Sequence, residues 1–394
     1  MKCCVVVQLY SGFKHVHDLK PLPNSGSPAF YNLLKYFSKK DLIDSVFFLS
    51  TPRNNQPANN ICITIDDNII KTKILSYKSF KYYKFFKKLS RFIEYLYNKF
   101  IHTLKVINYL NTADCDVLYT DRDNIILALI ASNFFSIKVI VRILGVQDEL
   151  HLKLQSKISI QGLLLKSLFS NNKIIKICTN NGSCSALYHN KYKSNNFHLL
   201  FNGCNSSALE NKNRNSGLFK ILYISRMEDG KGHFDFLNVL ASINSKTPFI
   251  ADIVGDGILF EKIITLSKQL NLDDKVNFIG NVDHKSIEKY LSTADLFVSI
   301  NYHGSVGNTL IEASSFGVPS VIVATNTVNV DLDNFFYVIK GDNIVENSVK
   351  AIEEIMSSTS KKESLSKSSV LFYEKYIPTW EKRINNEILL IESN

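Results

Sequence analysis

The sequence predicts an α/β protein made of two Rossmann-like, doubly wound domains facing a cleft. Short β-rich runs alternate with segments long enough for helices through both halves of the chain, which is the pattern of a parallel sheet covered on both faces. Apolar content drops out over "SSALENKNRNSG" near residue 210, and the alternation restarts beyond it. With 394 residues, 45% hydrophobic and 21% charged, the chain is long enough to bury two cores. The expected division is a first domain over 1–208, a second over 209–375 and a helical tail over 376–394 that holds the single tryptophan, Trp380.

In the first half the strand candidates are "CCVVVQLY", "SVFFLS", "DVLYT", "KVIVRILG", "KIIKICT" and "FHLLFNG"; in the second they are "FKILYIS", "FIADIVG", "VNFIG", "LFVSI" and "PSVIVA". Each is short, rich in β-branched or aromatic residues and followed by a helical or turn-like stretch. Ligands of open α/β sheets bind at the carboxyl ends of the strands. The loops after these runs are therefore where chemistry is sought.

Composition narrows the classes. The seven cysteines are scattered through apolar context without a Cys-x-x-Cys pair, which favours a reduced, cytoplasmic compartment over a disulfide framework and speaks against structural zinc. No apolar run reaches the roughly 18 residues of a membrane span, and "MKCCVVVQLYSG" reads as a first strand rather than a signal segment. The formal charge is +10, and residues 78–105 hold eight basic residues against one acid, Glu94. There Tyr82, Phe86, Leu89, Ile93, Leu96 and Phe100 recur at spacings of four and three, an apolar helix face flanked by Lys and Arg. Two readings stand: the helix lies on an anionic membrane surface, or the face packs on its own domain and the lysines are solvated. Nucleic acid is not expected, because no binding motif accompanies the charge.

The second half carries the candidate chemistry. "YISRMEDGKGHFDFLNVL" leaves a strand and enters a helix with Arg226 and Lys231 five apart; a guanidinium fork and an ammonium there suit the two phosphates of a diphosphate. "DIVGDGILF" places Gly255 and Gly257 in a turn where backbone can approach a ligand. "VNFIGNV" puts Gly280 and Asn281 at a strand end, a place to read the edge of a base. "GSVGNTLIEASSFGVPSV" joins a strand to a helix through Gly307, Asn308 and Thr309, whose N–H groups sit at a positive helix end that binds phosphate. Glu312, in an otherwise apolar helix, is a carboxylate that needs donors. No Asp-x-Asp cluster with a supporting site appears, so no metal and no cofactor is expected.

As a set and in this order, "FNGCN", "SRMEDGKG", "IVGDG", "VNFIGNV", "ADLFVSI", "GSVGNTLIEASSFGVPSV" and "TWEKR" resemble the C-terminal half of the retaining nucleotide-sugar glycosyltransferases of family GT4, which have the GT-B fold. The likeness covers about residues 200–385; the first half is similar only through "NSGSPAFYNLL" and "VRILG". The resemblance implies that Arg226 and Lys231 grip the donor diphosphate with the N–H groups around Gly307, Asn308 and Thr309. It implies that Glu312 is the second glutamate of the E-x7-E motif and meets the ribose, and that Gly26 brings backbone to the phosphates from the opposite domain. It further implies retention at the anomeric carbon, with the leaving phosphate helping to deprotonate the incoming hydroxyl, and a terminal helix that crosses back to the first domain.

Two departures follow. Gly304 stands where the first glutamate of the motif belongs, leaving His303 or Ser305 to meet the donor sugar. Leu144 replaces the histidine that many relatives carry before Gly145, so Arg142 and Gly145 are the candidates for the acceptor side. Together with an Asn-, Lys-, Ile- and Tyr-rich composition resembling that of an AT-rich bacterial gene, the likeness implies hexosyl transfer to a lipid-linked glycan at the inner face of the cytoplasmic membrane, in O-antigen (lipopolysaccharide) or capsule synthesis. A nucleotide-sugar epimerase and a non-catalytic nucleotide-binding scaffold of a synthesis complex remain as alternatives.

Overall fold

The computed structural model describes residues 1–9, 20–21, 28–51, 56–66, 68–79, 87–205, 217–324 and 330–393. The linker, Gly26 and the stretch 80–86 lie outside the described residues.

The first domain is a nine-stranded sheet in the order β2-β4-β5-β3-β1-β6-β7-β8-β9. Its strands are β1 (Cys3–Gln8), β2 (Lys20–Pro21), β3 (Ile43–Leu49), β4 (Asn59–Ile65), β5 (Asn68–Leu75), β6 (Val117–Asp121), β7 (Lys138–Ile143), β8 (Ile174–Thr179) and β9 (Phe197–Leu200). Neighbours run parallel except β4 against β5. That hairpin departs from the all-parallel expectation. Ile61, Ile63 and Ile65 alternate with more exposed residues and face the interior beside Ile70, Thr72 and Ile74, a period of two closed by a tight turn at Asp66 (φ 45°).

Helices cover both faces. On one side α2 (Lys87–Leu110), α3 (Ile125–Phe134), α4 (Asp148–Gln155), α5 (Ile160–Ser170) and α6 (Ser185–Tyr192) bury residues such as Val106, Ala128, Leu165 and Phe169 against Val6, Phe47 and Val141. On the other side α1 (Pro28–Lys39) buries Phe30, Leu33 and Phe37 against Val5, Val7 and Phe48. Each such apolar side chain contributes about 1.5–3 kcal/mol.

The second domain is a six-stranded parallel sheet, β12-β11-β10-β13-β14-β15. The strands are β10 (Phe219–Ile224), β11 (Phe249–Val254), β12 (Val276–Gly280), β13 (Leu296–Ser299), β14 (Ser320–Val323) and β15 (Tyr337–Ile339), and the helices are α7 (His233–Ser242), α8 (Phe260–Gln269), α9 (His284–Thr293), α10 (Asn308–Ser315), α11 (Ile344–Ser357) and α12 (Thr359–Tyr376). A last helix, α13 (Trp380–Glu392), returns to the first domain, where Ile384, Ile388 and Ile391 join the α1 side of its core.

The return is held by charge. Glu387 on α13 accepts from both Arg142 of β7 and Arg383, and the Tyr119 hydroxyl donates to it at 2.7 Å; all these side chains are buried. Burial works against the carboxylate, but the two guanidiniums outweigh it and hold its pKa below the ordinary range. This corrects the sequence-based place of Arg142. It does not line the acceptor side of the cleft, because an inward-pointing arginine in a core strand is consumed by the carboxylate of the crossing helix.

Candidate nucleotide-sugar site

Lys231 and Arg226 lie on the loop between β10 and α7. Tyr223 donates to the Lys231 carbonyl from below, and Gly232 in the left-handed region starts the helix. The Lys231 ammonium donates to Asn301 Oδ1 at 3.2 Å. Burial, and then the neighbouring charge of Arg226, lower its pKa. Arg226 is largely exposed and, among the described residues, reaches only its own loop's Glu228, at 3.2 Å. Two adjacent cations, one of them partly desolvated and bonded to a neutral amide, make a site for a multiply charged anion.

The glycines of "IVGDG" serve the protein's own backbone. A Cβ on Gly255 would run into the Ser225 carbonyl, and one on Gly257 into that of Met227. Met227 N–H donates to the Asp256 carbonyl at 2.9 Å, so the two loops are seated on each other. Close approach is required there to the loop that carries Arg226. Gly280 ends β12 and accepts from Gly255 N–H at 2.8 Å, which leaves exposed Asn281 beside the same loop cluster.

The loop between β13 and α10 faces these cations. Asn301 is its clamp: Oδ1 takes the Lys231 ammonium and the His303 N–H, while Nδ2 donates to the Gly304 carbonyl at 2.8 Å. His303 Nε2 lies 3.2 Å from the Asp229 carbonyl, so its ring is drawn towards the Arg226–Lys231 loop. Gly307 caps α10, and the N–H groups of Gly307, Asn308 and Thr309 open that helix without acceptors inside it.

One turn further, Glu312 Oε1 lies 2.9 Å from His284 Nε2 at the start of α9. Glu312 Oε2 is buried and has no hydrogen-bond partner among the described residues. The hydrogen bond to this carboxylate raises the His284 pKa. His284 was missed by the sequence reading. Only its position after the Asp283 helix cap marks it, and nothing local ties it to a residue 28 positions away.

Gly304 is explained by the other domain. A Cβ there would stand 2.5 Å from the Asn181 carbonyl of the loop after β8, and φ is +153°. Val306 N–H donates to that same carbonyl at 3.0 Å, Ser305 sits buried beneath Gly182, and Asn202 Nδ2 donates to Asn308 Oδ1 at 2.8 Å. The Asn181 side chain also packs on Gly145, which puts Gly145 beside the seam between the domains. This seam was not anticipated. Its signal, "NNGS" directly after the strand "KIIKICT", reads locally as an ordinary turn.

On the first domain's side a cavity of about 180 Å³ opens at the carboxyl edge of its sheet, lined by Gln8, Ser50, Asn98, Lys99, His102 and Asp123 among others. Lys99 Nζ donates to the Asp123 carbonyl at 2.7 Å. Among the described residues no group of His, Cys, Asp and Glu is arranged to hold a metal ion.

The profile of the family described as Glycosyl transferases group 1 matches residues 206–370. A 2-deoxystreptamine N-acetyl-D-glucosaminyltransferase of Niallia circulans is 34% identical over 107 residues, 27% of each chain. A Campylobacter jejuni transferase, N-acetylgalactosamine-N,N'-diacetylbacillosaminyl-diphospho-undecaprenol 4-alpha-N-acetylgalactosaminyltransferase, is 31% identical over 93 residues, 24% of each. The chain thus matches about a quarter of the length of these curated relatives. Over its whole length it superposes on the sucrose-phosphate synthase of Thermosynechococcus elongatus with a TM-score of 0.74 at 16% identity, covering 99% of that chain.

Proposed function

We propose, from the premise that residues 206–370 are a group 1 glycosyltransferase domain in a chain of the GT-B fold, that this protein moves a hexose from a nucleoside-diphosphate-sugar to a hydroxyl of a glycan acceptor. The observation that carries the reading is the Arg226–Lys231 pair, whose ammonium rests on neutral Asn301 and makes no ion pair among the described residues, with Glu228 the one carboxylate near both cations among them. The N–H groups at the start of α10, which follows the loop whose Asn301 holds the Lys231 ammonium, are further donors that this reading gives to the diphosphate. The free Glu312 Oε2 is an acceptor for ribose hydroxyls, with His284 holding the other oxygen in place. Gly280 and Asn281 border the base.

Transfer proceeds with retention and without a metal: the two cations stabilise the departing diphosphate, whose oxygen takes the acceptor proton. The acceptor enters from the first domain, where the polar cavity lined by Lys99 receives it, with Gly145 beside the seam. A lipid-linked glycan of a bacterial surface polysaccharide is the substrate class we favour, because the name of the Campylobacter relative specifies a diphospho-undecaprenol acceptor. A nucleotide-binding scaffold is the second reading, favoured by Gly304 and by the Asn181 carbonyl that occupies the missing glutamate's place.

Thermal stabilisation by a panel of UDP-, GDP-, ADP- and CMP-sugars tests the donor site. A shift with one nucleotide, lost in Lys231→Ala and reduced in Glu312→Ala, supports it; no shift with any of them overturns it. Transfer of labelled sugar to lipid extracts then separates enzyme from scaffold.

A further inference from the structure

The apolar stripe of α2 faces outward. Ile93, Leu96, Phe100 and Leu104 are 51, 46, 61 and 45% exposed, whereas Glu94, Asn98 and His102 on the inward face are 3–4% exposed. The inversion is fastened by hydrogen bonds. Asn98 accepts from Lys78 N–H at 2.7 Å and donates to the Lys78 carbonyl at 2.9 Å, and His102 Nε2 lies 2.9 Å from the Ser76 carbonyl. The helix cannot roll its apolar face inward without breaking them.

A second patch lies on the same layer. Leu152 on α4, Ile158 in the connection, and Ile160 and Leu163 on α5 are 64, 91, 68 and 50% exposed. Helices α2, α3 and α5 pack side by side on one face of the sheet, and Ile126 of α3, between the two patches, is exposed as well.

Basic residues fringe both patches. Lys78 Nζ lies 5.7 Å from the ring centre of Tyr97, at the edge of the first patch, and Lys157 lies in the second; both are exposed. The single acid of α2, Glu94, is buried, so the outward surface of that helix carries no carboxylate. Lysine is depleted at protein–protein interfaces but is favoured where apolar side chains enter an anionic lipid surface.

We propose that the first domain docks on an anionic phospholipid membrane through these two patches, α2 and the α4–α5 hairpin, acting together. The inward face of α2 lines the polar cavity at the sheet's carboxyl edge, so a docked molecule presents that cavity next to the lipid surface. Donor binding does not enter the proposal, and its failure would leave the transferase reading standing.

The test is co-sedimentation of the full chain with vesicles of phosphatidylcholine, alone or mixed with phosphatidylglycerol. Leu96→Ser with Phe100→Ser removes one patch, Ile158→Ser with Ile160→Ser the other, and circular dichroism melts verify that these exposed substitutions leave the fold intact. The expected result is binding to the anionic vesicles only, weakened by salt, with each pair costing at least about tenfold in affinity and the four together abolishing it. No binding to anionic vesicles, equal binding to neutral ones, or unchanged binding by both pairs would overturn the proposal. A concentration-dependent dimer that the same substitutions dissolve would assign the face to a second copy instead and overturn it as well.

Discussion

The two halves of the molecule use the same architecture in opposite ways. In the second domain, β10 to β15 form a parallel sheet whose loops converge on Lys231, Asn301 and Glu312, and its exposed large apolar residues, such as Phe234 and Ile258, are scattered. In the first domain the sheet is extended by the β4–β5 hairpin, the buried charges sit under a crossing helix, and the exposed apolar residues concentrate on one helical layer. One half gathers its polar loop groups at a single sheet edge. The other turns polar groups inward and apolar groups outward, an arrangement suited to a surface.

The largest effect should come from breaking the join between the halves. Glu387→Ala leaves Arg142 and Arg383 buried without their anion and is expected to cost about 3–5 kcal/mol, read as a fall in the denaturation midpoint. A loss below about 1 kcal/mol would mean that α13 is held chiefly by Ile384, Ile388 and Ile391.

Next is Lys231→Ala. Removing one of two positioned cations from a leaving group is expected to lower turnover by about 10²–10³, measured as kcat with the matched donor, while the melting temperature stays near that of the unaltered chain. An unchanged kcat would place the diphosphate elsewhere.

Gly304→Glu supplies the carboxylate that the E-x7-E resemblance places at this position but drives a side chain against Asn181. The steric conflict and unfavourable backbone should destabilise by about 1–3 kcal/mol. If stability is unchanged and transfer accelerates, the seam opens readily and the missing glutamate was a real loss of catalytic power.

The smallest effect concerns His284. Its folded-state pKa is raised above 6.5 by the hydrogen bond to Glu312, so the pair's contribution is complete below that value and is lost as pH rises through the raised pKa. Because His284 is largely exposed, the change stays below about 1 kcal/mol. The difference in stability between the unaltered chain and His284→Ala should shrink from pH 5.5 to pH 8.5; a difference that grows would reverse the assignment.

How much of this was readable without coordinates follows from range. Both doubly wound domains, the strand ends that carry Arg226, Gly255, Gly280 and Gly307, and the helix that carries Glu312 are local strand–loop–helix patterns, and hydrophobic periodicity with glycine placement announces them. The β4–β5 hairpin was legible in its alternation but was passed over in favour of a uniform parallel sheet. Arg142 illustrates the opposite case: nothing near "VRILG" reveals a carboxylate 245 positions away.

The sequence by itself therefore determined the layer order of each domain, the cluster of cations and helix N-terminus at one sheet edge, and the existence of an apolar stripe on α2. Only the tertiary structure decided that Arg142 belongs to α13, that Gly304 yields to Asn181, that His284 steadies Glu312, and that the α2 stripe points away from the core. The reason is physical. Periodicity records that a helix has two unlike faces, while which face is buried depends on partners, here the Ser76 and Lys78 backbone, that only the folded chain brings within hydrogen-bond reach.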